Sequence, residues 1–463
     1  MNATEKIEQY LKDNSARFEE ELKELLRIPS VSTDVAHQPD MLRCAEKLVQ
    51  FFREIGMKEA KVVETGGHPA VFAQSEQKTG RPTVLVYGHY DVQPEDPLDE
   101  WETPPFEPDI RDGKIFARGT SDDKGQFFVH LKAAEAYHKL GIDFPVNYKF
   151  IIEGEEEIGS PSLAPWISNN AELLKCDVLV VSDTCLYAPG IPAVLYGLRG
   201  LSYIEVEFKG GDTDMHSGMF GGAVPNPANE LCKVIAQLKD DKGRITVPGF
   251  YDKVRPLTQG ERDAWAKLPF DEEEFRKSVG VPQLCGEEGY TTTERRWARP
   301  TLDVNGFCSG FIGEGAKTVL PAKAMAKISC RLVPDQDHEE ISKMLEAEIR
   351  RLAPPTVEVK VSFHHGGPAW MNNPDHPVNE AARKAYRKAW HAEPVLMREG
   401  GSIAIVSDFC NTLNIPAILM GVGLDSDNIH APNEHLTLSD FHAGIAASAF
   451  LMEELAELGS WER

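Results

Sequence analysis

Histidine and carboxylate side chains recur in five short segments of the sequence, most of them directly after an apolar run. The segments are residues 88–91 (GHYD), 120–125 (TSDDKG), 153–157 (EGEEE), 182–183 (SD) and 428–430 (NIH). Ligands bind at the carboxyl ends of the strands in an open α/β sheet, so these segments are expected at one rim. Their acidic groups would repel one another unless a cation lay among them. The pattern therefore indicates a metal site.

The ligand types narrow the choice of metal. Imidazole and carboxylate ligands suit Zn²⁺, with Mn²⁺ and Co²⁺ as alternatives. The ligands outnumber what one ion needs, and two ions roughly 3.5–4 Å apart that share one carboxylate would use them all. None of the 8 cysteines forms a C-x-x-C pair, so a thiolate site is not expected. Taken singly, each segment has an ordinary explanation, such as an Asp at a helix start or a solvated run of Glu; the joint placement favours a metal centre.

The elements that position these segments alternate between strands and helices. Residues 83–87 (TVLVY), 148–152 (YKFII) and 177–181 (DVLVV) are apolar runs typical of strands buried on both faces of a parallel sheet. Residues 123–140 carry apolar side chains at helical spacing. The predicted fold class is α/β, with a mainly parallel sheet and helices on both faces.

The pattern changes near residue 200. Residues 201–209 alternate polar and apolar, as in a half-buried strand, and the order that follows is β-α-β-β-α-β. We predict an inserted α+β domain of the split βαβ, ferredoxin-like type over residues 201–366, with an irregular insertion at about 240–300. Residues 1–200 and 367–463 then form the main domain around it.

Several strings of the sequence together resemble the M20 family of dizinc metallopeptidases, in its carnosine-dipeptidase and cytosolic non-specific dipeptidase branch. The strings are residues 88–92 (GHYDV), 117–125 (ARGTSDDKG), 153–160 (EGEEEIGS), 215–218 (MHSG), 330–334 (CRLVP), 398–402 (REGGS) and 430–434 (HAPNE). They stand in the family's order along nearly the whole chain. The resemblance implies the same two-domain fold.

The resemblance also implies a set of metal ligands. These are His89, Asp122, Glu157, Asp183 and His430. Asp122 would bridge two ions, and the Asp122–Asp123 peptide would be cis. Asp183 would bind one ion together with His89, and Glu157 the other together with His430. Asp91 would accept the second ring N–H of His89 and fix its tautomer.

The family motif assigns the general base within three consecutive glutamates. Counting back from Gly159 and Ser160 puts the base at Glu156, which takes a proton from the metal-bridging water and passes it to the leaving amine. Glu155 would then face solvent or contact the metal ligands without binding metal itself. His435 is the alternative histidine to His430 and is not expected to bind metal.

Substrate recognition is implied in the same way. His216 would stabilise the oxyanion from the partner subunit of a homodimer, while Asn226 is expected only to start a helix. A terminal carboxylate calls for a guanidinium, which Arg331 supplies. The further substrate contacts are Thr318, Gly401 and Ser402. The inserted domain would act as lid and dimer interface, with hinge closure bringing His216 and Arg331 to the metals.

The expected function is therefore metal-dependent hydrolysis of dipeptides with broad specificity. The alternatives are an N-acyl-amino-acid deacylase or carboxypeptidase of the same family, and a non-catalytic binding protein on this fold. Lys and Arg number 49 against 73 Asp and Glu, a net charge of −24 that argues against nucleic acid or anionic membranes as partners. The start of the chain has no apolar signal segment, so the cytoplasm is the expected compartment.

Overall fold

The computed structural model describes residues 2–459. Its strands are, in chain order, β1 (Glu59–Val63), β2 (Ala70–Gln74), β3 (Thr83–His89), β4 (Asp109–Arg111), β5 (Lys114–Phe116), β6 (Asn147–Glu153), β7 (Val178–Val181), β8 (Ala193–Leu198), β9 (Gly200–Lys209), β10 (Met215–His216), β11 (Asp303–Ser309), β12 (Val319–Leu320), β13 (Lys323–Leu332), β14 (Glu358–Gly367), β15 (Trp370–Met371), β16 (Val395–Glu399), β17 (Ala417–Leu419) and β18 (His435–Thr437).

The α-helices are α1 (Ala3–Asp13), α2 (Ser15–Leu26), α3 (Gln38–Glu54), α4 (Lys124–Lys139), α5 (Leu163–Asn169), α6 (Ala171–Leu174), α7 (Ser217–Phe220), α8 (Pro227–Ala236), α9 (Gln259–Trp265), α10 (Glu272–Ser278), α11 (Thr292–Ala298), α12 (His338–Leu352), α13 (Pro377–Trp390), α14 (Ala404–Leu413) and α15 (Leu438–Leu458). Single 3₁₀ turns lie at Val35–His37, Leu98–Glu100 and Glu156–Ile158. Within residues 2–459, no helix combines the length and the apolar composition needed to cross a membrane.

The chain forms two compact units. Unit 1 comprises Met1–Tyr196, Asn372–Met397 and Ile405–Arg463, and unit 2 comprises Gly197–Met371 and Arg398–Ala404. The sequence analysis put the boundaries near residues 200 and 366 and did not assign residues 398–404 to the inserted part. Inside unit 2, an ion pair between Arg398 and Glu261 joins this short segment to the region 240–300.

Unit 1 is built on a sheet whose strands run in the order β1-β2-β6-β3-β7-β17-β8. The pairs from β6 through β3 and β7 to β17 are parallel, and the pairs on both flanks are antiparallel. The strands β6 and β7 are buried along their whole length, as their continuous apolar sequences predict.

Helices pack on both faces of this sheet. Gly88 of β3 lies against Phe127 of α4, while Tyr87, which points to the opposite face, packs edge-on against Phe409 of α14 with ring centroids 5.6 Å apart. The core on the α4 side also includes α3 and α15. The α/β fold class with a central parallel sheet is thus confirmed.

Unit 2 contains a four-stranded antiparallel sheet in the order β11-β13-β9-β14. Every second residue of β9 is buried, and Ile204, Val206 and Phe208 belong to the core formed with α8 and α12. The element order β9-α8-β11-β13-α12-β14 is the predicted ferredoxin-like arrangement.

The region 240–300 is more regular than expected. It holds the short helices α9, α10 and α11, each begun by a Thr or Asp side chain that accepts a backbone N–H. Trp265 and Trp297 are buried and pack edge-to-face, with ring centroids 5.2 Å apart. The aromatic residues that made the sequence look irregular therefore form a small local core.

Candidate metal centre

Three parallel strands of unit 1 end at the same edge of the sheet. The strands β3 and β6 are paired so that His89 lies opposite Glu153, and β7 ends beside them at Val181. The segments after these ends therefore meet, as the strand order requires. Residues 120–123, just before α4, and residues 428–430 reach the same edge, because Asp122 contacts both His89 and His430.

Two groups of ligand atoms share one carboxylate. Nε2 of His89 lies 2.9 Å from Oδ1 of Asp122 and 4.0 Å from Oδ2 of Asp183. Nε2 of His430 lies 2.9 Å from Oδ2 of Asp122 and 3.3 Å from Oε2 of Glu157. Within each group, the ligand atoms lie within 4.8 Å of one another. Asp122 offers one oxygen to each group, and the Asp122–Asp123 peptide is cis.

Asp91 connects His89 to the glutamate turn. Its carboxylate accepts the backbone N–H groups of Glu156 (3.2 Å) and Glu157 (3.1 Å). Nδ1 of His89 lies 3.1 Å from the backbone oxygen of Asp91 and 3.4 Å from Oδ1 of the same residue. Nδ1 of His89 therefore contacts the backbone oxygen of Asp91 as well as the carboxylate that the sequence analysis expected. Both oxygens fix the ring so that Nε2 points to Asp122 and Asp183.

The three consecutive glutamates have three different environments. Glu157 belongs to the second ligand group and accepts a hydrogen bond of 2.6 Å from Nε2 of Gln93. Glu155 is buried and accepts the backbone N–H groups of His68 and Ser162, so the alternative that it faces solvent is wrong. Glu156 lies between them in the 3₁₀ turn and joins neither ligand group.

The charges in this cluster perturb one another strongly. Burial lowers the pKa of His89, but the Asp122 and Asp91 carboxylates outweigh it and set the pKa well above its ordinary value. Hydrogen bonds to the Asp122 and Glu157 carboxylates raise the pKa of His430 to about 10. Burial and the carboxylates of Asp122 and Asp123 raise the pKa of Asp183 well above its usual range. Burial, reinforced by nearby carboxylates, raises the pKa of Glu156 to about 8.

These shifts have one common origin, which is the crowding of carboxylates at a buried edge. The carboxylates stabilise a positive charge on the two imidazoles. Divalent cations can take the place of the imidazole protons, because metals bind the deprotonated ring nitrogen. Each ligand group supplies one imidazole and two carboxylates, a donor set that suits zinc and leaves a position open. The residues therefore fit two metal ions bridged by Asp122.

Two of the predicted substrate-binding residues lie on a two-stranded ribbon of unit 2. His216 of β10 is paired with Val319 of β12, and the backbone N–H of Ser217 donates to the oxygen of Thr318. Nδ1 of His216 accepts the backbone N–H of Gly218 at 3.0 Å. The neutral imidazole therefore carries its proton on Nε2, where it can be donated. His216 and Thr318 are both exposed in the single chain.

The other predicted substrate contacts lie around Arg331, also in unit 2. Nη1 of Arg331 donates to Oγ of Ser402 at 2.8 Å, and this hydroxyl donates to the backbone oxygen of Arg199. The backbone oxygen of Gly401 accepts the N–H of Arg199. Burial and the charge of Arg331 lower the pKa of Arg199 to about 10. Arg331 thus has a second arginine beside it, and Gly401 and Ser402 hold the backbone of that arginine.

Comparisons with known proteins identify the family. Residues 85–454 match the sequence pattern of Peptidase family M20/M25/M40. The chain belongs to this family. It is 33% identical to the Cys-Gly metallodipeptidase of Schizosaccharomyces pombe over 98% of both chains. Among solved structures, human carnosine dipeptidase 1 superposes with a TM-score of 0.85 at 31% identity and 99% coverage of both chains.

A further M20 peptidase of known structure is similar to the same degree. The metallo-carboxypeptidase from Sulfolobus solfataricus has a TM-score of 0.85 and 32% identity, over 94% of this chain and 98% of its own. The family, the fold and the branch expected from the sequence strings are therefore confirmed, although the named activities of these relatives differ.

The remaining histidine and asparagine candidates have structural roles in this M20 chain. His435 is in neither ligand group; its Nδ1 contacts the backbone oxygen of Asn433 at 3.0 Å, and its Nε2 lies 2.9 Å from Nζ of Lys114. Asn226 caps α8 by accepting the backbone N–H of Ala228. Both agree with the sequence analysis.

Sequence reasoning missed three residues that touch the candidate sites of this M20 chain. Gln93 donates to Glu157, Arg199 lies beside Arg331, and Glu434 accepts the backbone N–H of Asp122. Gln93 and Glu434 stand in or next to motif strings, so their position was a usable signal. Arg199 had no such signal, because its place beside Arg331 is visible only in the structure, where a Cβ at Gly400 would lie 2.6 Å from Nη2 of Arg199.

Proposed function

We propose that this protein hydrolyses dipeptides with two divalent metal ions, one held by His89, Asp122 and Asp183 and the other by Asp122, Glu157 and His430. The observation that carries the proposal is the pair of ligand groups that share Asp122 in an M20 peptidase. Relatives named Cys-Gly metallodipeptidase and carnosine dipeptidase cover nearly the whole chain, which supports a dipeptide as substrate.

Zinc is the proposed metal, with manganese or cobalt as alternatives. Mixed imidazole and carboxylate ligands favour zinc among the divalent ions. When bound, the two ions would lower the pKa of a water molecule and polarise the scissile carbonyl. The chain must then move protons and hold the substrate, and its own side chains account for both tasks.

Glu156 is the proposed general base. Its neighbour Glu157 is taken up by the second ligand group and Glu155 by two backbone N–H groups, which leaves the Glu156 carboxylate free for proton transfer. It would take a proton from the attacking water and deliver it to the nitrogen of the leaving amino acid. Asp91 holds the backbone N–H of Glu156 and so sets the position of the turn.

His216 is the proposed donor to the oxyanion. Because its Nδ1 accepts the Gly218 N–H, Nε2 is the donor atom. We propose that it acts on the site of a second copy of the chain, in a homodimer. Its ribbon is exposed, and unit 2 also exposes apolar side chains on and just after the edge strand β11, among them Phe307, Phe311 and Ile312, the last at 86%. Exposed apolar clusters of this kind mark protein interfaces.

Arg331 is the proposed partner of the substrate's terminal carboxylate. Its guanidinium is aligned by Ser402, and Arg199 adds a second positive charge close by. A planar guanidinium can bind a carboxylate through two hydrogen bonds at once. Thr318 and Gly401 are proposed to contact the substrate through their backbone and hydroxyl groups.

The test of the proposed function is hydrolysis of a small substrate panel. The protein is stripped with a chelator and supplied with Zn²⁺, Mn²⁺ or Co²⁺, and Ala-Ala, Gly-Leu, Cys-Gly, β-Ala-His and N-acetyl-Leu are compared. Cleavage of free dipeptides that depends on the restored metal is the expected result. Full turnover in the stripped protein, or no turnover of any dipeptide with any metal, would overturn the proposal.

Metal content gives a second readout with a matched pair of histidines. The wild-type chain is expected to hold two ions. The variant His430→Ala is expected to hold fewer and the variant His435→Gln to hold two, because His430 belongs to a ligand group and His435 does not. Equal metal content in the two variants would contradict the proposed ligand set.

A carboxypeptidase is the second candidate function. The observation in its favour is the similarity to the M20 metallo-carboxypeptidase of Sulfolobus solfataricus. Adding Ala-Ala-Ala and the N-acetylated dipeptide to the panel separates the two functions. A dipeptidase is expected to need the free amino group of a two-residue substrate, whereas a carboxypeptidase cleaves the longer and the blocked substrates as well.

The cytoplasm is the proposed compartment. All eight cysteines are free, and Cys232, Cys285 and Cys308 are exposed. Exposed thiols persist in a reducing environment. Microscopy of the tagged full-length chain tests this, and accumulation outside the cytoplasm would contradict it.

A further inference from the structure

Glu434 follows His430 by four residues and is only 1% exposed. Its Oε1 accepts the backbone N–H groups of Ser121 (2.9 Å) and Asp122 (3.1 Å). Its Oε2 accepts the N–H of Gly119 (3.0 Å) and a hydrogen bond of 2.8 Å from Nη1 of Arg118. One buried carboxylate thus receives four donors, all from the segment that carries the shared ligand Asp122.

The main chain of Glu434 contacts the same segment. Its backbone oxygen accepts the N–H of Ala117 at 3.1 Å. Gln126 adds a parallel connection, because its Nε2 donates to the oxygen of Ser121 while its Oε1 accepts the N–H of Val422. The segments before α4 and before β18 are therefore joined at several points, and Glu434 supplies five of the hydrogen bonds.

The loop that Glu434 ends needs such support. Asn428, His430 and Asn433 have φ angles of 56°, 61° and 61°, in the left-handed region that residues with a Cβ rarely adopt. A loop with three such residues holds its shape only when its surroundings determine it. The N–H of His435 closes the loop by donating to the oxygen of Asp427 at 3.0 Å.

We propose that Glu434 is a positioning residue for the two-metal centre, which fixes Asp122 and His430 relative to each other before metal binds. The inference rests on the proposed metal-dependent function and adds a residue that neither binds metal nor touches substrate. Groups behind metal ligands commonly change metal affinity when they are replaced.

The decisive variant is Glu434→Gln. The amide has one oxygen, so its NH₂ group must face either the N–H groups of Ser121 and Asp122 or those of Gly119 and Arg118. The NH₂ group of the glutamine then faces other N–H donors and loses two of the hydrogen bonds, while the side chain keeps its size. The expected result is a loss of affinity of about 10- to 100-fold for at least one of the two ions.

The readout is Co²⁺ binding to the folded, metal-stripped full-length protein, followed by competition with a chelator and by the visible absorption of the bound ion. The absorption reports ligand geometry and does not depend on turnover. The matched control is Glu135→Gln, a carboxylate of the same unit that is 3% exposed and bonded to Lys132 and Tyr10. It is expected to lower the melting temperature and to leave both Co²⁺ affinity and absorption unchanged.

The outcomes separate this inference from the proposed function. Wild-type affinity and absorption in Glu434→Gln would overturn the inference, as would an equal loss of affinity in Glu135→Gln. Binding of two ions by the wild type without peptide cleavage would overturn the proposed function and leave the role of Glu434 intact. If Glu434→Gln does not fold, Glu434→Asp replaces it. The shorter side chain keeps the charge but cannot reach all four donors, so a smaller loss of affinity is expected, and none would overturn the inference.

Discussion

At the scale of single residues, the centre depends on one carboxylate that reaches two imidazoles. Each oxygen of Asp122 lies 2.9 Å from a different histidine, so replacing this residue would affect both ligand groups at once. The glutamates beside it show how closely related side chains divide their tasks. Glu155 binds backbone, Glu157 joins a ligand group, and Glu156 remains for the proposed proton transfer.

Glu156→Gln is expected to lower kcat on a dipeptide by about 10²- to 10⁴-fold, the usual range for loss of a general base. The amide keeps the size of the side chain but cannot take a proton. The measurement is steady-state kinetics together with metal content, which is expected to remain at the wild-type value. More than a tenth of wild-type turnover in the metal-loaded variant would rule Glu156 out as the base.

Arg331→Lys is expected to raise KM for a dipeptide by about 10- to 100-fold, because the ammonium keeps the charge and loses the planar pair of donors. The matched comparison is the same dipeptide with its terminus amidated, which has no carboxylate to bind. For this amide, kcat/KM is expected to differ little between the wild type and the variant. An equal effect on both substrates would show that Arg331 does not bind the carboxylate.

At the scale of elements, the helix α4 connects the metal-binding edge to the core behind it. His130 lies in its middle, with Nε2 2.7 Å from Oγ of Ser182, just after β7, and Nδ1 2.8 Å from Oγ of Ser448 on α15. Burial lowers the pKa of His130 to about 3. The imidazole is therefore neutral in the folded protein at every pH where the protein is expected to work.

This histidine makes folding sensitive to acid. The unfolded chain, with an ordinary pKa near 6.5, binds a proton that the folded chain rejects, so stability is complete above that pH and falls as the pH decreases towards 3. Between about pH 7 and about pH 5 the free energy of unfolding is expected to lose about 2 kcal/mol from this group alone. Urea unfolding of metal-stripped wild type and His130→Gln measures it. The variant is expected to show a shallower pH dependence, and an identical slope would contradict the assignment.

At the scale of the whole molecule, the proposed function needs two copies of the chain. His216 lies on an exposed ribbon and Glu156 in unit 1, so two inactive variants can complement each other if the histidine acts across a dimer. Co-expression of Glu156→Gln with His216→Ala, followed by isolation of the mixed dimer through two tags, is expected to restore about half of the wild-type kcat per dimer, since one of its two sites is intact. Mixed dimers as inactive as their parents would show that His216 acts within its own chain.

Much of this architecture could be predicted because its signals are local. Burial on both faces gives the continuous apolar runs of β3, β6 and β7. Burial on one face gives the alternating pattern of β9. The five candidate ligands were grouped by their places at strand ends and by family motifs, and the structure brings them into two sets. The hairpin β4–β5 turns at Asp112 and Gly113, which both have positive φ, and an Asp-Gly pair is a typical local signal for such a turn.

What could not be predicted depends on partners distant in the sequence. Glu155 looks like part of a solvated acidic run, and only the backbone of His68 and Ser162 explains its burial. Glu434 lies more than 300 residues after the N–H groups it accepts, and no periodicity records such a pairing. The helices of the region 240–300 are each seven residues long, too short for a repeating apolar pattern to appear.

The order of strands in unit 1 has a consequence for how the chain is made. The strand β17 lies between β7 and β8, although it is synthesised long after both of them. Until residues beyond Leu419 have left the ribosome, the strands β7 and β8 lack the partner strand that pairs with both of them. Unpaired edges of this kind recruit other chains, so we expect the polypeptide to be more prone to aggregation before β17 is synthesised than after it. Unit 2 ends at Ala404, so all of its residues are synthesised before β17, the last central strand of unit 1.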